Sequence, residues 1–80
     1  MTRKEVYERL NPIFRELFDD ENITVTDETT SDDIDGWDSF EHINLIISIE
    51  EEFGFKIPMG KVVTMKNVGE MVDIILEYTK

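Results

Sequence analysis

Cysteine is absent from the 80 residues, so neither a disulfide nor a thiolate metal site can brace the fold. Any core must come from packed apolar side chains alone. Apolar runs are short, and none approaches the length a helix needs to cross a bilayer, so no membrane-inserted segment is expected. The opening residues MTRKEVYERL are charged where a secretory leader would be apolar, and a cytoplasmic location is the expectation. Lysine and arginine are missing from Glu16 to Phe55, a stretch that holds 14 acidic residues. The eight basic residues all fall on its flanks, within a net charge of −11. Such a field repels nucleic acid and anionic lipid and draws basic protein surfaces toward it.

The apolar fraction of 40% argues for a packed core and against disorder. A chain this short makes one small domain, residues 1–80, without room for a deep catalytic cleft. From Thr2 to Phe18, Val6, Leu10, Ile13, Phe14 and Leu17 recur at helical spacing, and Thr2 with Glu5 forms a capping-box pattern. Pro12 interrupts this segment. Either the helix bends there, or Asn11 caps a second start with Pro12 at its first position. The apolar stripe keeps its phase across Pro12, which favours one bent helix.

Residues 19–38 form a long connection, in which Ile23, Val25, Ile34 and Trp37 can tack the chain down and Gly36 supplies a turn. A second helix is expected from Asp38 or Ser39 to Phe53, ended by Gly54. Its apolar residues Phe40, Ile43, Leu45, Ile46, Ile47, Ile49 and Phe53 cover more than half the circumference, so neighbours should enclose it on several sides. Glu41, Asn44, Ser48, Glu51 and Glu52 share the remaining face, with His42 and Glu50 at the rims. After Pro58 a short turn or helix around Gly60 to Met65 points Val62 and Met65 inward. Asn67 and Glu70 then open a last helix with the stripe Val68, Met71, Val72, Ile75 and Tyr78. The fold expected is all-α, a small four-helix bundle of three main helices and one short one, with a long loop between helices 1 and 2.

The stretch DGWDSFEH, where loop becomes helix, carries the chemistry. Asp38, Ser39 and His42 have the residue types of a nucleophilic relay. However, the aspartate adjoins the serine in sequence, so its side chain turns away from the face shared with His42. No glycine-rich elbow surrounds the serine, and no catalytic residue is expected. A calcium loop aligned on Gly36 would place Ser31 first and His42 last. It lacks both the first acidic ligand and the closing glutamate, so no metal is expected. Asp38 can serve as an ordinary N-cap, yet a cap accounts for neither the preceding Gly-Trp nor the acidic surroundings.

DGWDSFEHINLIISIEEEFGFKIP resembles the acyl carrier proteins, whose signature is Asp-Ser-Leu at the start of the second helix, with Phe40 here in the place of a leucine that plugs into the core. The short third helix and the final NVGEMVDII helix also fall where that family has them, so the likeness covers essentially the whole chain. It implies that Ser39 is esterified with 4′-phosphopantetheine from coenzyme A by a separate phosphopantetheinyl transferase. The thiol of that arm would hold acyl groups as thioesters, and the chain itself would not be an enzyme. Asp38, Glu41, Glu50 and Glu51 match the family's partner-binding acids, which meet basic patches on acyl-loading and acyl-transfer enzymes. Asn44 and Met59 stand where acids are usual, and Lys61 and Lys66 further reduce the acidity around the third helix. These departures point to a dedicated lipid, polyketide or related biosynthetic pathway more than to general fatty-acid synthesis. A monomer is expected. A D-alanyl or other amino-acyl cargo stays open, as does a non-enzymatic acidic docking module with no prosthetic group.

Overall fold

The computed structural model describes residues 1–79. Its elements are α1 (Arg3–Leu17), one 3₁₀ turn (Ser31–Asp33), α2 (Ser39–Phe53), the short α3 (Met59–Val62) and α4 (Val68–Tyr78). The described residues contain helices and no strand, as the periodicity predicts. None of these helices is long and apolar enough to cross a membrane.

α1 starts where its capping box is satisfied in both directions. Thr2 Oγ1 accepts from the Glu5 N–H at 3.1 Å, and Glu5 Oε1 accepts from the Thr2 N–H at 2.8 Å. These bonds to Thr2 hold the Glu5 carboxyl below its ordinary range. The helix runs unbroken through Pro12, which decides the single-helix alternative. Asn11 caps nothing. Its amide donates to the Tyr7 carbonyl at 3.2 Å, and its Oδ1 accepts from the Val25 N–H at 2.7 Å. One side chain thus braces the turn before the proline and fastens the long connection.

That connection is held along most of its length. Val25 and Ile34 are buried, while Ile23 and Trp37 pack against the core from its edge. Arg15 donates through Nε to the Ile23 carbonyl at 2.6 Å. The carbonyls of Thr29 and Asp27 accept from Val68 and Gly69 at 2.8 and 3.0 Å, satisfying two of the amides that every helix start leaves unpaired. Arg3 completes the clamp, reaching Asp27 at 2.9 Å and Asp73 of α4 at 2.7 Å. The 3₁₀ turn was not foreseen from the sequence. Asp33 caps it by accepting from the Thr30 N–H at 2.9 Å.

The core joins Val6, Leu10 and Phe14 of α1 to Leu45, Ile46 and Ile49 of α2. Val68, Met71, Val72 and Ile75 of α4 close it. Two expectations fail here. α2 is not enclosed on several sides, because Phe40, Ile43 and Ile47 are 74%, 47% and 47% exposed. Phe40 does not plug into the core. It lies in the first turn of α2, ahead of the buried face formed by Leu45, Ile46 and Ile49. Tyr78 likewise leaves the stripe of α4 and stacks on Phe55 at 5.5 Å, outside the core. The short helix begins one residue before Gly60 and ends at Val62, with Val62 buried and Met65 half-buried beyond it. Asn67 does cap α4, but Glu70 accepts from the Lys66 N–H and not from Asn67.

Candidate functional site: the leading end of α2

Gly36 turns the chain with φ 88°, a conformation that suits a residue without a Cβ. The turn brings Trp37 edge-on against Phe14, with ring centroids 5.3 Å apart. Asp38 then caps α2 through Oδ1, which accepts from the Glu41 N–H at 2.9 Å, and its carbonyl accepts from the His42 N–H at 2.9 Å. Ser39, the first helical residue, is exposed. The N–H groups of Ser39 and Phe40 precede the intrahelical ladder, so the positive end of the helix dipole lies at the serine.

Beside Ser39 opens a crevice of about 460 Å³ between α2 and α3. Trp37, His42 and Ile43 line one side, and Met59, Val62 and Val63 the other. Met65 and Met71 also reach it, so every methionine beyond Met1 lines this one space. Unbranched thioether side chains adapt readily to the shape of what they contact.

His42 is half-buried at the wall of the crevice. Its Nδ1 accepts from the Trp37 Nε1–H at 3.1 Å, and its Nε2 lies 3.2 Å from the Val62 carbonyl. An indole N–H only donates and a carbonyl only accepts, so the imidazole is neutral with its proton on Nε2. Both nitrogens are committed away from Ser39, and Asp38 is occupied as a cap. The three side chains do not form a relay. Among the described residues, no three His, Cys, Asp or Glu side chains converge to hold a metal ion.

The four acids singled out in the sequence have unequal settings. Asp38 is the cap. Glu41 is half-buried and accepts from the Asn44 amide at 2.9 Å. Glu50 turns inward, its side chain 14% exposed, and accepts from the Ile57 N–H at 2.7 Å. Glu51 is exposed and has no ion-pair partner among the described residues. The sequence reading missed the apolar strip of Phe40, Ile43 and Ile47, flanked across the crevice by Met59 and Val63 at 68% and 73% exposure. Its signal was present in the helical spacing of positions 40, 43 and 47, which lies outside the arc a single core can cover.

Residues 8–75 match the family model described as a phosphopantetheine attachment site. The chain is 32% identical to an acyl carrier protein of Caulobacter vibrioides over 75 residues, covering 94% of this chain and 96% of that one. The chain belongs to the acyl carrier protein family. It is also similar to the acyl carrier protein of Lactobacillus acidophilus, with 28% identity over 98% of each chain. Its fold matches the solution structure of a holo acyl carrier protein from Geobacter metallireducens, with a TM-score of 0.84 and 43% identity. That match covers 90% of this chain and 83% of the other. As an acyl carrier protein the chain takes 4′-phosphopantetheine as its covalent prosthetic group. Carriers of this family work with transferases and acyl-handling enzymes.

Proposed function

We propose that the chain is a discrete carrier, without catalytic activity of its own, whose Ser39 hydroxyl is the attachment point of the arm. One observation carries this reading: Ser39 stands exposed at the start of α2 and at the mouth of the α2–α3 crevice. The residues present fit the group. The unpaired amides of the first turn and the helix dipole favour a phosphodiester at this position. The open junction admits a transferase, and the crevice offers apolar cover to a chain. Attachment forms a bond between Ser39 Oγ and the phosphorus of the pantetheine phosphate. It breaks the pyrophosphate bond of coenzyme A, which releases adenosine 3′,5′-bisphosphate, and the serine proton passes to the transferase. When attached, the arm supplies a thiol on which acyl groups are carried as thioesters.

Partner enzymes, on this reading, meet a mixed surface. Asp38 and Glu41 spend part of their hydrogen-bonding capacity on α2 itself, and Glu50 is withdrawn, which leaves Glu51 as the freest of the four acids. The exposed Phe40, Ile43 and Ile47 then offer apolar contact beside it. A partner with a small apolar recess and a basic rim fits best, as aromatic and aliphatic anchors in a desolvated centre dominate such contacts. Non-acidic Asn44 and Met59, with the basic Lys61 nearby, support a dedicated lipid, polyketide or related pathway in the cytoplasm.

The test is intact mass after incubation with coenzyme A and a broad-specificity phosphopantetheinyl transferase. Wild type should gain one arm and Ser39→Ala none. An unmodified wild-type chain would instead favour an acidic docking module with no prosthetic group.

A further inference from the structure

We propose that His42 is a positioning residue, coupling the segment that presents Ser39 to α3 so that cargo in the crevice is registered at Trp37. The imidazole holds both sides at once. It accepts from the Trp37 indole at 3.1 Å and donates to the Val62 carbonyl at 3.2 Å. The two rings also stack, with centroids 5.9 Å apart and planes 23° from parallel. Trp37 stands two residues before Ser39 and is lodged against Phe14 and Phe18, so a change at its indole reaches the loop that sets the serine.

The other end of the coupling is weakly held. α3 has four residues, of which Val62 alone is buried, and so short a helix does not sustain itself. Among the described residues, its polar ties to the other helices are the His42 bond and the Lys61–Glu77 ion pair at 3.1 Å. Trp37, His42 and Val62 all line the crevice. A chain entering between α2 and α3 therefore presses on the pair that joins them. Parting the helices lengthens the bond from His42 to Val62 and loosens the imidazole's hold on Trp37. Neither ring nitrogen is free for proton transfer to Ser39, so the residue acts by geometry. This inference rests on the reading of Ser39 as the bearer of the arm.

The test compares wild type with His42→Phe, which keeps a ring but loses both hydrogen bonds, and His42→Gln, which can accept and donate with the same polarity. In the unmodified protein, NMR hydrogen exchange at the Trp37 indole N–H and the Val63 and Thr64 amides should be about fivefold faster in His42→Phe, the loss of one net hydrogen bond. Core amides of α1 and α4 should keep their rates, and His42→Gln should restore the fast sites. Each protein is then loaded from coenzyme A or octanoyl-coenzyme A, with intact mass confirming one arm. The octanoyl chain should shift Trp37 emission relative to the bare arm in wild type and His42→Gln, and not in His42→Phe.

Acceleration spread evenly over all helices shows a merely structural role and overturns the proposal. An equal emission shift in His42→Phe also overturns it. If the phenylalanine variant does not fold, the glutamine variant decides, since it must match wild type in both measurements. A mass that never changes defeats the Ser39 reading instead, and the exchange result on unmodified protein is read separately.

Discussion

The Glu50 carboxylate accepts from the Ile57 N–H at 2.7 Å, tying the last turn of α2 to the segment that leads into α3. A carboxylate expected to face partner proteins is in effect an internal brace. Glu50→Ala leaves that amide without its partner, and hydrogen bonds to charged groups contribute about 1.5–3 kcal/mol. Urea unfolding should show a loss of about that size. Glu51→Ala should stay within about 0.5 kcal/mol of wild type and slow modification by the transferase. Equal stability of the two variants would contradict the inward role of Glu50.

Gly69 is buried at the start of α4, where a Cβ would lie 2.8 Å from the Asp27 carbonyl oxygen and 3.1 Å from the Asp27 Cβ. That carbonyl is fixed because it accepts from the Gly69 N–H. Gly69→Ala must push the long connection off α4, at a cost of about 1–3 kcal/mol typical of overpacking. The gain in helix propensity from alanine is smaller. A variant as stable as wild type in urea would show that the connection yields freely.

Asp27 gathers the Tyr7 hydroxyl and the Arg3 guanidinium on one carboxylate oxygen. The Tyr7 hydrogen bond first, then Arg3, hold this carboxyl below its ordinary range. A carboxyl lowered in the folded state contributes stability that is fully present above its unfolded pKa. That stability is lost as pH falls through the lower folded value. Asp27→Asn should therefore melt below wild type at neutral pH. The gap should narrow once pH drops under the unfolded value of about 3.9. A gap of constant size across that range would remove the carboxylate from the account.

The uninterrupted acidity from Glu16 to Phe55 predicts self-repulsion. Sodium or magnesium chloride should raise the melting temperature, because salt at about 0.1 M screens charges beyond roughly 10 Å. Scanning calorimetry at low and moderate salt checks this. A melting temperature indifferent to both salts would show that the ion pairs of Arg3 with Asp27 and Asp73, and of Arg9 with Glu52 at 2.9 Å, already offset the repulsion.

Some of this is legible in the sequence alone. Thr2, Asp38 and Asn67 mark helix starts because a short polar side chain meets the free amides of its own next turn. Gly54 marks an end because its φ of 76° suits a residue without a Cβ. The placement of Ser39 followed from the same local logic. The single helix through Pro12 followed from the unbroken phase of its apolar stripe, whereas the role of Asn11 was not legible, since its partner is the Val25 amide 14 residues away. Phe40 and Glu50 misled in opposite senses. A side chain's polarity constrains burial, but its neighbours are set by how the helices meet.

The order of residues alone determined the helical periodicity, the caps, the acidic field and the serine at the head of α2, because each depends on the nearest few residues or on summed charge. Tertiary structure decided which face of α2 lies open, which acids turn inward, and that His42 bridges Trp37 to Val62. Those outcomes depend on contacts between segments far apart in the chain, and their geometry exists only once the helices have packed.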